Sequence, residues 1–357
     1  MKKNVKILIK LTTLSLFALS FTSCGKVSTV YYDAAWSYLE NKQPKEAVDN
    51  FKLSIENEAK TKEALRGLGI AYIANDQYKE AIDPLIEALN MSNGRIKEID
   101  YDINDYLGYA YEKSGSYEEA LSVYNALIAL HPNDLEAYNQ RAVCFLHLNQ
   151  MEEALADFSR VTSKKPDDYD THIQIFFTIK NAGFEGDAKA YLSGILEDGK
   201  RKISDYDRGR MCYYLEDYSN GRVYLEKAKD FSNPDTILML GKTYEAINDN
   251  TYAASLYSQY LDTKGNNAAV YNQLGVCRWK LEDYEGALSA FSFGIKLDDP
   301  EWKKELLFNE AVTYEYLLDF DMAKERFTEY LKLYPKDERA SHEMLFLETR
   351  TAKEENE

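Results

Sequence analysis

Histidine and cysteine are scarce in this chain, which has four of each among 357 residues. The histidines are widely separated, and none has a second histidine or a cysteine nearby at metal-ligand spacing: His131, His147, His172 and His342. Zinc sites and histidine-based catalytic sites need such clusters. No glycine-rich phosphate-binding loop follows a recognisable strand either. The sequence therefore predicts no metal, no cofactor and no catalytic centre.

Three of the cysteines, Cys144, Cys212 and Cys277, are far apart in the chain. A disulfide needs Cα atoms within about 7 Å of each other, so we expect buried thiols rather than a bridge.

Basic residues are also in the minority, since 43 Lys and Arg oppose 60 Asp and Glu and leave a net charge of -17. A chain this acidic repels phosphate, which excludes a general nucleic-acid binder.

The apolar run near the N-terminus is short. It covers eleven residues, Leu11 to Phe21, whereas a spanning helix needs roughly 20. Four lysines precede it: Lys2, Lys3, Lys6 and Lys10. This layout is typical of a secretory signal peptide. We predict that residues 1–23 are removed on export.

The end of this run resembles a bacterial lipobox, in which small residues precede a cysteine. The segment from Ser20 to Cys24 carries the resemblance. It implies that Cys24 is lipidated and becomes the new N-terminus of a membrane-anchored protein, with residues 24–30 as lipidated cysteine and short linker. Phe21 departs from the leucine that is usual at its position. The alternative is cleavage after Ser20, which would release a soluble, secreted protein.

One small residue recurs along the chain at a spacing near 34 residues. Such a period is the signature of a repeat array. The recurring residue is alanine at eight positions and glycine at one: Ala47, Ala81, Ala120, Ala154, Ala188, Gly221, Ala253, Ala287 and Ala323. A second small residue stands twelve positions upstream of each, except where Phe176 replaces it: Ala35, Gly69, Gly108, Ala142, Gly209, Gly241, Gly275 and Ala311.

Apolar residues around both small positions follow the helical period, as Leu65, Leu68 and Tyr72 do around the second repeat. Each repeat is therefore a pair of helices whose backbones approach at the small residues. A single pair cannot bury both of its faces, so neighbouring pairs must stack. The sequence predicts an all-α array of nine hairpins over residues 31–335, then a capping helix and acidic tail over 336–357.

These repeats resemble the tetratricopeptide repeat, whose pattern is Leu-Gly-x2-Tyr, then Tyr-x2-Ala, with a closing proline in some repeats. The third repeat matches closely, with Leu107, Gly108 and Tyr111 in its first helix and Tyr117 and Ala120 in its second. The resemblance implies a right-handed superhelical solenoid whose first helices line a concave groove. In this family the groove commonly receives a peptide or an extended segment of a partner.

Aromatic, amide and arginine residues that map to the groove are the candidate partner-binding site. Tyrosine and tryptophan combine apolar area with a hydrogen-bonding tip, and they dominate binding hot spots. The candidates are Tyr32, Trp36, Arg66, Tyr106, Tyr109, Asn139, Gln140, Phe177, Arg210, Tyr213, Asn272, Trp279, Phe308 and Asn309. The two arginines are expected to be isolated from other basic residues in the groove, so no basic clamp is predicted. Packing against the next repeat is the alternative role for several of the rings.

The sequence favours an exported, lipid-anchored adaptor that binds a protein or peptide, in cell-envelope assembly or secretion. One alternative is a module that stacks glycan or wall fragments on groove aromatics such as Trp36 and Trp279. A catalytic centre in the irregular fifth and sixth repeats would need a titratable cluster that the sequence does not display, so no enzyme is predicted. The identity of the partner, the envelope layer and the oligomeric state are left open by the sequence.

Overall fold

The computed structural model describes residues 29–94 and 96–351. Within these residues the chain forms nineteen α-helices and no strand, which confirms the predicted all-α fold. The predicted signal peptide, Cys24 and the tail after Thr351 lie outside the described residues. None of the described helices is long and apolar enough to cross a membrane.

The chain divides into two compact units, and the boundary lies between Val161 and Thr162. The helices of unit 1 pair into four hairpins. They are α1 Val30–Glu40, α2 Pro44–Glu56, α3 Thr61–Ala74, α4 Tyr78–Asn90, α5 Glu98–Ser114, α6 Tyr117–Leu130, α7 Leu135–His147 and α8 Met151–Thr162. In the last hairpin the Arg141 guanidinium donates to both carboxylate oxygens of Asp157, at 2.7 and 2.8 Å.

Unit 2 contains five hairpins and one final helix. They are α9 Tyr169–Asn181, α10 Glu185–Glu197, α11 Asp205–Tyr214, α12 Tyr218–Lys227, α13 Pro234–Ala246, α14 Asn250–Lys264, α15 Ala268–Lys280, α16 Tyr284–Ile295, α17 Lys303–Tyr316, α18 Phe320–Leu333 and α19 Glu338–Thr351. Ala340 and Leu347 of α19 are fully buried in one cluster with Phe327 of α18. These contacts are those expected of the predicted capping helix.

Every hairpin turns through one residue with positive φ, placed seven positions after the small residue of its first helix or, in the fifth repeat, after Phe176. Glycine fills this position twice, at Gly115 and Gly183. The other seven are Lys42, Asp76, Asn149, Glu216, Asn248, Glu282 and Leu318, with φ between 58° and 65°. The left-handed conformation is unfavourable for residues with a side chain, so its recurrence marks nine equivalent turns.

An aspartate follows the left-handed residue in four hairpins of unit 2. Its carboxylate accepts a hydrogen bond from a backbone N–H in the first turn of the second helix, as Asp249 does from Tyr252 at 3.0 Å. The same cap is formed by Asp217, Asp283 and Asp319. Because such caps satisfy donors that the helix itself leaves free, each second helix begins at a fixed residue.

The small residues bring the two helices of a hairpin together, as predicted. A Cβ atom added to Gly275 of α15 would overlap the ring of Phe291 in α16, and one added to Gly241 of α13 would overlap Tyr257 in α14. Both rings are fully buried. Aromatic side chains of the second helices thus occupy the space that glycine leaves open in the first.

The cysteines within the described residues are buried and free, as expected from the sequence. Burial raises the pKa of the Cys144 thiol to about 12 and that of Cys212 to about 11, and it raises the pKa of Cys277 as well. All three are therefore protonated near neutral pH, and they act as small apolar residues of the core.

Candidate partner-binding surfaces

Arg66 of α3 stands between a ring of α1 and a ring of α5. Its guanidinium carbon is 5.7 Å from the ring centroids of both Trp36 and Tyr106. Its Nε donates to a carboxylate oxygen of Asp102 on α5. Cation–π attraction and a charge-assisted hydrogen bond together fix the guanidinium. The next repeat supplies both the carboxylate and one of the rings that Arg66 contacts.

Two aromatic rings of its own hairpin also pack against Trp36. Its centroid lies 6.3 Å from that of Tyr32 and 5.3 Å from that of Phe51, both in edge-to-face geometry. Phe51 is fully buried, whereas Tyr32 and Trp36 are half-buried. Packing therefore sets the orientation of Trp36 before any ligand arrives, which lowers the entropy lost on binding.

Tyr109 belongs to a second aromatic group of unit 1. Its ring is 6.2 Å from that of Tyr78, and the Lys113 ammonium lies 5.1 Å from its centroid. Lys113 also contacts the buried carboxylate of Glu112 at 2.5 Å. The Tyr109 ring is half-buried. The Tyr109 ring therefore belongs to a packed group of side chains and does not project from the surface on its own.

The two amides predicted on α7 are both half-buried. Gln140 donates to a carboxylate oxygen of Glu136 at 2.8 Å. Glu136 in turn is one of three acids that act on Asp105 of α5. Desolvation of the carboxyl group by the surrounding protein and these carboxylates raise the pKa of Asp105 to about 6. The amides therefore lie next to a concentration of negative charge that the sequence alone did not reveal.

In unit 2, Phe177 of α9 contacts a pair of tyrosines on α11. Its centroid lies 5.0 Å from that of Tyr214, which lies 5.5 Å from that of Tyr213. Tyr213 also approaches Tyr218 of α12 at 5.6 Å. Four half-buried rings from three helices therefore make one aromatic patch on unit 2.

Arg210 lies beside this patch and is fully engaged. It contacts the carboxylates of Asp170 and Asp207, the latter at 2.8 Å, and its guanidinium lies 5.2 Å from the centroid of Tyr206. Like Arg66, Arg210 thus contacts a side chain of a neighbouring repeat. An arginine in each unit joins neighbouring first helices through carboxylates and rings.

A second aromatic patch of unit 2 contains Trp279 of α15. Its ring meets that of Tyr316 on α17 at 4.7 Å and that of Tyr284 on α16 at 6.2 Å. Tyr316 is 48% exposed, which makes it one of the more exposed aromatic residues described. Trp279 itself is half-buried, so this patch offers ring edges and a phenol to a ligand.

The remaining candidates of unit 2 are largely satisfied by the protein. Asn272 is 5% exposed and accepts a hydrogen bond from the Asn309 amide at 3.0 Å. Phe308 packs 5.6 Å from Phe327, and the Arg339 guanidinium lies 4.4 Å from its centroid. These contacts favour a packing role for Asn272 and Phe308.

The structure thus places most aromatic candidates in four sets: Trp36 with Tyr32 and Arg66, and Tyr109 with Tyr78, in unit 1, and the patches at Tyr213 and at Trp279 in unit 2. Sequence reasoning missed the acids of these surfaces, above all Asp102 and Asp105. Their signal was available, since each falls on the same helical face as a named aromatic residue. Among the residues described, no group of three histidine, cysteine or acidic side chains is placed to hold a metal ion.

Three family models, each described as a tetratricopeptide repeat, match residues 32–93, 107–173 and 305–337. The chain contains tetratricopeptide repeats in these three segments. The matching models describe a helical repeat and name no catalytic domain.

Curated relatives of this tetratricopeptide-repeat chain match it over part of their length. FK506-binding protein 59 of Drosophila melanogaster is 26% identical over 125 residues, which are 33% of this chain and 28% of that protein. DnaJ protein P58IPK homolog B of Oryza sativa subsp. japonica is 24% identical over 219 residues, 61% of this chain and 35% of that protein. The chain therefore spans only about a third of the length of these relatives.

Among solved structures, yeast Tom70 is similar over 90% of this chain and 81% of its own, with 15% identity and a TM-score of 0.49.

Proposed function

We propose that this chain is a protein-interaction scaffold whose first-helix surfaces bind a peptide or an extended segment of a partner protein. The observation that carries the proposal is the fixed array of Trp36, Arg66 and Tyr106, contributed by three successive first helices. Rings held by packing and by charged neighbours present apolar area and hydrogen-bonding groups at little entropic cost. Aromatic residues and arginine are the side chains that dominate protein–protein hot spots.

The two patches of unit 2 support the same function. Tyr213 and Trp279 each present half-buried rings beside phenol groups, which suits contact with both side chains and backbone of a peptide. Stacking of sugars remains the alternative use of Trp279. It is less favoured by the observation that an edge of Tyr316 packs against that ring, at an interplanar angle of 77°.

The test is co-purification from solubilised membranes with the wild type and with a variant in which Tyr109, Tyr213 and Trp279 are changed to alanine. The matched control changes three exposed apolar residues of second helices to alanine: Val223, Phe293 and Leu333. Both variants must keep the helical circular dichroism of the wild type. We expect a partner identified by mass spectrometry to be lost from the first variant and kept by the control. Loss from the control alone would move the binding site to the second helices and contradict the proposal.

We further propose that the scaffold is exported and anchored to a bacterial membrane through lipidated Cys24, and that it acts in cell-envelope assembly or secretion. The support is the run of charge, apolar residues and small residues that ends at Cys24. A Cys24→Ala variant is expected to lose incorporation of labelled palmitate and to leave the membrane fraction. Palmitate-free wild-type protein in the culture medium would instead favour cleavage after Ser20 and secretion.

A further inference from the structure

The first-helix surface of unit 1 carries more negative charge than its own cations neutralise. Asp105 is exposed on α5, and no lysine, arginine or histidine among the residues described lies within ion-pair distance of it. Asp102, one turn earlier on the same helix, is paired with Arg66. The surface therefore holds one satisfied carboxylate and one without a cation.

The acids around Asp105 come from two neighbouring first helices. Asp102 lies on α5, Glu136 on the first turn of α7, and Asp134 caps the start of α7. Desolvation by the surrounding protein and these like charges oppose ionisation of Asp105 and raise its pKa to about 6. Near pH 7 the carboxylate is nevertheless charged, so folding carries the cost of that repulsion. Residues that reduce stability in this way are common where a protein binds.

The protein itself shows what this surface accepts. The Arg66 guanidinium lies against Tyr106 and bonds to Asp102. Tyr106 lies beside both carboxylates, since Asp102 and Asp105 both act on its hydroxyl group and, with burial, raise its pKa. Tyr106 is thus near one carboxylate with a bound cation and one carboxylate without a cation.

Three acids on first helices of unit 2 have internal partners. Asp170 and Asp207 share Arg210, and Glu305 faces Arg339 at 3.5 Å. Asp105 differs from these three acids, because no cation among the residues described pairs with it.

We propose that the aromatic first-helix surface of unit 1 docks a basic segment of the partner, with a lysine or arginine side chain at Asp105 beside Tyr106. This inference rests on the proposed function and names the chemistry of its ligand. Charge complementarity selects the occupant, since aromatic rings alone would accept many peptides whereas the carboxylates reject acidic ones. Gln140, half-buried on α7, donates to Glu136, which is one of the acids that act on Asp105.

The experiment measures fluorescence anisotropy of labelled synthetic peptides with the full chain at pH 7. Three peptides of about 12 residues are used, long enough to span about 40 Å when extended. They differ only in one repeated residue, which is arginine, glutamine or glutamate. We expect the arginine peptide to bind at least tenfold more tightly than the glutamine peptide, with an advantage that shrinks as salt is raised.

Two variants locate the effect. Asp105→Asn is expected to weaken binding of the arginine peptide at least fivefold, whereas Glu118→Gln, at an exposed acid on the first turn of α6, should leave it unchanged. Asp105→Asn removes a repulsion and is expected to be at least as stable as the wild type, so weaker binding cannot be ascribed to unfolding.

Each outcome decides between this inference and the function on which it rests. Equal binding of the arginine and glutamine peptides, or unchanged affinity of Asp105→Asn, would overturn the basic ligand while leaving a peptide-binding surface. Binding of none of the three peptides, together with loss of a co-purified partner from the aromatic variant, would also overturn the basic ligand and keep the scaffold function. Failure of both experiments would overturn both.

Discussion

Glu245 in α13 and Glu315 in α17 occupy the same position of their repeats, four residues after Gly241 and Ala311 respectively. Both point into the packing between a first helix and its neighbours, yet their surroundings differ. The Glu245 carboxylate accepts hydrogen bonds from the Tyr257 hydroxyl and the Lys280 ammonium, each at 3.0 Å. Every oxygen of this carboxylate therefore has a donor.

Glu315 has neither of those donors. In the hairpin of Glu315, the second helix α18 has Phe327 at the position that Tyr257 occupies in α14. The helix that follows, α19, places Glu343 near Glu315. One carboxylate oxygen of Glu315 is buried without a hydrogen-bond partner among the residues described. Burial and the charge of Glu343 raise the pKa of Glu315 to about 7.

The comparison teaches that the repeat fixes where a side chain goes but not whether it is satisfied. An ionised carboxylate is stable in packed surroundings when donors surround it and costly when they are missing. Two hairpins with one backbone geometry thus hold the same residue in two charge environments. Four changes would break or sharpen this difference.

The largest effect is expected from Gly241→Ala. The added methyl group would overlap the buried Tyr257 ring, and moving that ring would also remove the hydroxyl from Glu245. We expect the free energy of unfolding to fall by about 3 kcal/mol in urea denaturation followed by circular dichroism. Gly194→Ala on α10 is the control, since no atom lies near its added methyl group, and it should stabilise by about 0.5–1 kcal/mol. A stabilisation of similar size in both variants would mean that helix propensity, and not overlap with the ring, decides the effect.

Tyr257→Phe would leave Glu245 without its hydroxyl donor, as Phe327 leaves Glu315. Removing one donor from a buried carboxylate is expected to lower the free energy of unfolding by about 1–3 kcal/mol, measured in the same way. Tyr316→Phe is the matched control, because that ring is 48% exposed and its hydroxyl is accessible to water. If the two changes were equal, the bond to Glu245 would contribute nothing to stability.

Glu315 predicts a stability that depends on pH. Its pKa is about 7 in the folded protein and near its ordinary value of 4.5 in the unfolded chain. Between these values the folded state keeps a proton that the unfolded state releases, so the free energy of unfolding should fall as pH rises from about 5 to 8. Thermal unfolding of the wild type and of Glu315→Gln would show it.

The difference between those two profiles is the relevant quantity, because other groups titrate in the same range. Asp105 has a raised pKa and acts in the same direction, whereas burial lowers the pKa of His172, which acts in the opposite direction. Glu315→Gln should remove only the contribution of Glu315 to the pH dependence. Its gain in free energy of unfolding over the wild type should be largest at pH 8. Parallel profiles would show that the unpaired oxygen finds a partner in solution.

The smallest effect is expected from Phe327→Tyr, which offers Glu315 the hydroxyl it lacks. Ala311 in place of a glycine limits how far the ring can advance, so the double variant with Ala311→Gly is the stronger test. A formed hydrogen bond is expected to add about 1 kcal/mol at pH 8 and nothing at pH 4.5, before the cost of the glycine. A gain that is equal at both values would point to apolar packing instead.

The nine hairpins could be predicted from the sequence because their determinants are local and repeated. A small residue at a fixed interval marks the contact between two helices, and nine occurrences outweigh exceptions such as Phe176. The helical face of the candidate residues followed from the same interval. Partners could not be predicted this way, because Arg66 meets Asp102 across 36 residues of chain, and the repeat pattern leaves that position free to be any residue.

Burial of individual candidates was equally beyond the pattern. Asn272 and Asn309 were assigned to one face, but their mutual hydrogen bond depends on the exact distance between two first helices. Asp105 was overlooked because an acid on a helix surface is ordinarily solvated. Desolvation and three nearby acids make it unusual, and two of these acids, Asp134 and Glu136, belong to another repeat.

The nine left-handed turn residues bear on how the length of such a chain can change. Each bend is closed by the residues of its own hairpin, so it does not depend on which repeat comes before or after. Duplication or loss of about 34 residues, the repeat period, would leave all other bends as they are. The reach of the array can therefore vary by whole repeats in the course of evolution, while each binding surface stays the property of the few neighbours that form it.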